Sequence, residues 1–361
     1  MQKRKNSRKL CKAARCVIFF TMLACILVPI SYILRQVPWR YNKNTFTAFY
    51  AEEENSLDVV ALGSSGCYMF VDNPYLYEKF GITSFNVSVP LMPNMATSYV
   101  MDEIELTQSP QLYIVEGRNF IRKPGKKPNR SLYLLTDSMN YGVNRSRMIM
   151  AGYKSVAERV RSLLDIWKYH SYWDEAKKEA LAFWDNKQKL PMKTWRNRAT
   201  IEPLTAPEIR TDLTPMSLNE TQEAELRSLL EECKKKDREV LFIVTPFVFN
   251  ETYARRKLAM KDIVESYGYQ FLDLTDGESY GIDYSTDFWD SSHANYRGAE
   301  KVTQMLGEYI EKEYNICTEH TKSVTDDWEN CVRMSNAQIR EIESGNIQDD
   351  EKEEASEPEE S

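Results

Sequence analysis

The chain has 361 residues, 42% of them hydrophobic, and a formal charge of −7; that length and apolar content support one large or two modest domains with a sizeable core. The charge is polarised, with seven basic residues in 1–15 and ten acids against one lysine in 341–361, which leaves a mildly acidic body. Such a body argues against nucleic acid as a partner.

The basic segment 1–15 runs into 16–34, 19 residues without a charge. At about 1.5 Å per residue this nearly spans a ~30 Å hydrocarbon core. A cleaved signal peptide would have a shorter apolar run and a small-residue cleavage site, and Tyr32-Ile33-Leu34-Arg35-Gln36 offers none. Residues 16–34 therefore read as a retained transmembrane anchor. The positive flank places the N-terminus in the cytoplasm and the body outside the cell membrane. A linker, 35–56, follows.

From residue 57 short apolar runs alternate with helical periods. Asp58–Leu62 is a Val-rich run of the kind a buried parallel strand needs. Asp72-Asn73-Pro74 caps a short helix, Tyr75–Phe80, which Gly81 ends. Strands are expected at Ile82–Val89 and Leu112–Val115, with a helix over Met95–Thr107 between them. Later, helices over Glu220–Lys236 and Asn250–Tyr267 alternate with strands at Val240–Val244 and Tyr269–Leu274. A final helix, Arg297–Tyr314, carries Ala299, Val302, Leu306, Tyr309 and Ile310 on one stripe. Five strands with intervening helices predict an α/β fold, a doubly wound parallel sheet in an α/β/α sandwich. The sandwich is expected in two parts, 57–120 and 218–316.

Residues 121–217 break the rhythm and read as an insertion, mainly helical between about Arg147 and Lys189. It holds Trp167, Trp173, Trp184 and Trp195, which suit ordinary packing onto the sheet, or a platform for sugar rings or a membrane partner. Residues 317–361 read as an acidic tail, disordered from about Ser335. Cys317 and Cys331 fit a disulfide in an oxidising space and fit two free thiols equally well. No Cys/His cluster suggests zinc, and no cofactor motif is visible.

Two segments carry chemistry. Gly63-Ser64-Ser65-Gly66 follows the first strand, and Asp290-Ser291-Ser292-His293 precedes the last helix. A serine hydroxyl needs a base to take its proton, and a histidine steadied by a carboxylate is that base near neutral pH. Asp290 and His293 are three apart, so a helical turn would present them on one face; the alternative is that Asp290 simply caps the final helix. Gly63 lets the chain bend after the strand. Of the other histidines, His170 lies in the insertion and His320 beyond the core, neither with an obvious orienting acid in the sequence.

This layout resembles the SGNH/GDSL hydrolase superfamily, and in particular its membrane-anchored extracellular branch, which includes the D-alanyl transfer proteins of lipoteichoic acid synthesis and the alginate-acetylation proteins. The likeness covers roughly residues 15–125 and 218–315. It implies Ser65 as nucleophile, His293 as general base and Asp290 as its orienter; Asn295 and Gly298 match the continuation into the last helix. It also implies an oxyanion hole with an asparagine after the third strand, for which Asn119 in Gly117-Arg118-Asn119 is the candidate. Arg118 would hold an anionic group or pair with an acid in the core. After the second strand, Asn86-Val87-Ser88-Val89-Pro90 lacks the family's glycine, so another N–H near Ser88 would have to serve.

The resemblance implies an extracellular serine acyltransferase or esterase that O-acetylates a cell-envelope polysaccharide, beside a multi-span membrane acyltransferase. The alternatives are a non-catalytic partner that binds a glycan or such an acyltransferase, and D-alanyl transfer to teichoic acid.

Overall fold

The computed structural model describes residues 2–35, 44–122, 129–172 and 189–345. Five strands form one parallel sheet: β1 (Val59–Gly63), β2 (Ser84–Ser88), β3 (Leu112–Glu116), β4 (Val240–Val244) and β5 (Gln270–Asp273). Their spatial order is β2-β1-β3-β4-β5. The chain leaves β1 toward one edge and returns to its other side as β3. The strand order therefore reverses between β1 and β3, and in open α/β sheets the crevice at the carboxyl ends beside such a reversal receives ligands.

Successive strand residues face opposite sides, and the core divides accordingly. Val59, Ala61, Leu112, Ile114, Leu241 and Ile243 face one side. It is covered by α3 (Ser65–Tyr68), α4 (Asn73–Phe80) and, much later, the helix Tyr296–Glu313. Val60, Leu62, Phe85, Val87, Val115 and Phe242 face the other, under α2 (Asn44–Phe49), α5 (Thr97–Ile104) and two helices over Glu220–Lys235 and Glu251–Ser266. All five strands of the sheet lie where the apolar runs predict them, within the usual shift of ends.

The N-terminal helix α1 covers Gln2–Arg35, and its stretch Lys12–Ser31 is long and apolar enough to cross a membrane. Between β3 and β4 the chain forms α6 (Arg118–Ile121), α7 (Asn129–Ser138), α8 (Val143–Gly152), α9 (Val156–Leu163) and α10 (Ile166–Tyr169). The helical part thus begins at Asn129, earlier than Arg147. From Lys189 to Asn219 the described chain is an irregular strap without helix or strand. Trp195 is buried against the sheet while Trp167 is exposed; Trp173 and Trp184 lie outside the described residues. In chain order the later helices are α11 (Glu220–Lys235), α12 (Glu251–Ser266), α13 (Tyr296–Glu313) and α14 (Lys322–Glu343).

α14 corrects the expected tail. Thr321 caps it by accepting from the Val324 N–H, and Val324, Trp328, Cys331 and Ser335 bury one stripe of it. The Trp328 ring packs 5.2 Å from Tyr77 of α4. The acidic end beyond residue 345 lies outside the described residues. Cys317 is exposed, Cys331 is buried, and each is a free thiol, so the disulfide alternative is not realised.

Candidate active site

The sheet brings the two distant segments together. β1 ends at Gly63, which approaches β3 so closely that a Cβ there would lie 2.8 Å from the Cβ of Glu116. Ser64 follows in extended conformation and Ser65 opens α3. The Ser64 hydroxyl does not cap that helix; it donates to Glu116 Oε2 at 3.3 Å. Ser65 remains half-buried, and its hydroxyl lies 2.6 Å from His293 Nε2. His293 Nδ1 lies 2.7 Å from Asp290 Oδ2. With the Nδ1 proton donated to the carboxylate, the Nε2 lone pair accepts from Ser65.

The acid and the imidazole are presented by a hairpin rather than the helical turn their spacing suggests. Asp290 ends strand β6 (Phe288–Asp290), His293 starts β7 (His293–Ala294), and the two pair across the Ser291-Ser292 turn. The turn is held at three points. Ser292 N–H donates to Asp290 Oδ1 at 2.7 Å, Val248 N–H to Ser291 O at 2.8 Å, and Arg118 Nη1 to Ser292 O at 2.6 Å. The cap of α13 is Asn295, whose side chain accepts from Arg297 and Gly298 N–H; Asp290 has no part in it. Burial pushes the Asp290 carboxyl up, but hydrogen bonds from His293 and the Ser292 backbone, with the His293 charge, outweigh this and hold it below its ordinary value.

Arg118 pairs with an acid of the core. It is buried, its Nε donates to Glu116 Oε1 at 3.1 Å, and its guanidinium sits between Phe70 and Phe247. It leaves no room for a side chain at Gly66, where a Cβ would lie 1.9 Å from its Nη2. Glu116 also accepts from the Arg118 N–H. Glu116 and Arg118 thus tie the serine turn to the hairpin. Glu116 was not singled out from the sequence: one acid at a strand end gives no signal until its neighbours are known.

Asn119 stands on α6, at the end of β3 as expected. Its side-chain amide donates to Met92 O at 2.9 Å, and no hydrogen bond joins it to Ser65 among the described residues. Ser88 ends β2 in register with Gly63. Its hydroxyl is buried beside the Cys67 thiol, and the Trp195 indole N–H is buried without a hydrogen-bond partner among the described residues. Both residues line a pocket of about 200 Å³, together with Tyr68, Met192, Thr194 and Arg196. Tyr68 is one turn past Ser65 and its phenol neighbours the Ser65 hydroxyl, so the pocket flanks the serine.

The strap that walls this pocket is fixed by Lys193. Its ammonium is buried, 2.8 Å from Glu52 Oε2 and 2.8 Å from Asp327 Oδ2 of α14. Lys193 and Thr194 both take positive φ, 48° and 70°, which turns the chain sharply there.

The other histidines stand apart. His170 is exposed in the insertion. His320 does have an acid, Asp58 Oδ2 at 2.9 Å, but Asp58 precedes β1, at the end of the sheet opposite Ser65. Among the described residues no group of three or more His, Cys, Asp or Glu side chains is placed to hold a metal. No protein-family model matches the chain, and no curated protein is similar to it in sequence.

Proposed function

We propose that this protein is a membrane-anchored serine acyltransferase or esterase of SGNH type, with its body outside the cell membrane, which passes an acetyl-sized acyl group through Ser65 to a hydroxyl of a cell-envelope polysaccharide. The observation that carries the reading is the unbroken hydrogen-bond chain Ser65–His293–Asp290 at the carboxyl end of β1.

In this reading Ser65 Oγ attacks the acyl carbonyl as His293 Nε2 takes its proton, and Asp290 steadies the imidazolium. The proton leaves with the departing group. The acceptor hydroxyl then attacks the acyl-serine, gives its proton to His293, and Ser65 departs protonated; water in place of the sugar makes the reaction a hydrolysis. The Ser65 N–H and the second amide hydrogen of Asn119 are the oxyanion donors. Loss of one such donor costs about 2.7–4 kcal/mol in the transition state.

The pocket favours an uncharged acyl group over D-alanyl. A D-alanyl ammonium calls for a carboxylate, and the described lining has Arg196 and no acid. The buried Trp195 Nε1, which has no partner among the described residues, suits a small group that carries an acceptor oxygen. The geometry also favours a catalyst over an inert binding partner, and the two separate in one assay. A fluorophosphonate probe should label Ser65 in the wild type and not in His293→Ala, and Ser65→Ala should abolish acylation of the polymer. Equal labelling in the two histidine forms, or acylation unchanged in Ser65→Ala, would sink the proposal.

A further inference from the structure

The apolar stretch Lys12–Ser31 of α1 has 20 residues, about 30 Å of helix, which matches the hydrocarbon core of a bilayer. Where that stretch ends, the insertion takes hold of it. Ile166 N–H donates to Ser31 Oγ at 3.1 Å. Leu34 and Tyr169 are buried together, with Ile30, Ile33 and Ile166 packed around them. These contacts fix α10 at the depth where the helix leaves the hydrocarbon.

Exposed apolar side chains lead into that point. Val156 and Val160 lie one turn apart on α9, and Trp167 stands on α10, beyond the extended Leu164, while Leu163 packs inward against the core. The three are turned away from the protein: Val156 is 72% exposed, Val160 47% and Trp167 61%. Lys154, Arg159 and Arg161 flank them, with Glu158 the one exposed or half-buried acid among residues 154–164. An amphipathic face with a tryptophan and flanking basic residues, fixed at the end of a membrane-long helix, has the composition of a segment that lies in a lipid headgroup layer.

We infer that the α9–α10 face docks on the outer surface of the bilayer that α1 crosses, with Trp167 and the two valines in the headgroup layer and the basic residues on anionic lipid. The inference rests on the membrane-anchor reading of α1. It gives the insertion a second attachment beside the anchor, so the body is held in one orientation on the membrane.

The test uses the full chain in nanodiscs of phosphatidylcholine and phosphatidylglycerol. Lipids brominated near the carbonyl group should quench a component of the tryptophan fluorescence that is lost in Trp167→Phe, and aqueous iodide should leave that component untouched. Val160→Asp should shift the same component from bromolipid to iodide. Extraction of the wild-type chain from membranes by alkaline carbonate would overturn the anchor and the docking with it. A chain that stays in the membrane while Trp167 is quenched by iodide would overturn the docking alone. So would a Trp167 shielded from both quenchers, which would mean that protein and not lipid covers this face.

Discussion

Replacing Arg118 by Met would remove the guanidinium that joins Glu116 to the Ser292 carbonyl, while an apolar stem of similar length stays between Phe70 and Phe247. Both members of the pair are buried, with side chains 5% and 0% accessible. Removing one partner of such a pair costs about 3–5 kcal/mol, because the other charge stays behind unpaired. Glu116 would keep three donors: the residue-118 backbone N–H at 3.1 Å, Ser64 Oγ at 3.3 Å and Thr245 Oγ1 at 3.4 Å. The expected loss is therefore at the lower end, about 3 kcal/mol, or roughly a hundredfold in the folding equilibrium. Denaturant titration of the full chain in detergent micelles at pH 7 measures it. The double variant Glu116→Gln/Arg118→Met leaves no unpaired buried charge at this position and should recover most of the loss. Fluorophosphonate labelling of Ser65 should slow in both variants, since the Ser292 carbonyl loses its donor in each. A single variant within about 0.5 kcal/mol of wild type, as for an ordinary surface substitution, would refute the reasoning; so would a double variant less stable than the single.

The Asp290 carboxyl is held below its ordinary value of 3.8, so its pairing stabilises the fold above that pH and is lost as pH falls through the lower folded value. The stability gap between wild type and Asp290→Asn, read by denaturant titration, should persist down to about pH 4 and close below it. Burial raises the Asp72 carboxyl well above its ordinary value although it accepts from Tyr75 N–H. The native state therefore loses stability as pH rises from the unfolded to the folded value. Asp72→Asn keeps the cap and should melt higher than wild type at pH 7 but not at acid pH, whereas Asp72→Ala gives up a cap worth about 1 kcal/mol. Burial pushes the Cys331 thiol up to about 11. A maleimide should modify Cys317 in the native protein and Cys331 only after unfolding, as read by peptide mass spectrometry.

The strands were legible because a parallel strand buried on both faces must be a short continuous apolar run, as Val240–Val244 is. The pairing of Asp290 with His293 was legible from spacing, but its geometry was not: separations of three fit a helical turn and a two-residue hairpin alike. Here Ser291 and Ser292 settle into the hairpin because Arg118 and Val248, far off in sequence, hold their carbonyls. α14 is hidden in the sequence by the acid-rich composition of 341–361 that follows it, although Val324, Trp328, Cys331 and Ser335 repeat at helical spacing. His320 and Asp58 are 262 residues apart, and no local pattern joins a pair that only the folded sheet brings together.

The Lys193 tie has a consequence for how the protein is made. Glu52, Lys193 and Asp327 come from three widely separated stretches of a 361-residue chain. Synthesis runs from the N-terminus, so Ser65 and Ser88 emerge early, while the strap that walls their pocket gains its last anchor only when residue 327 is in place. A chain cut short before α14 would still carry the serine, the histidine and the carboxylate, yet would lack the fixed wall beside them.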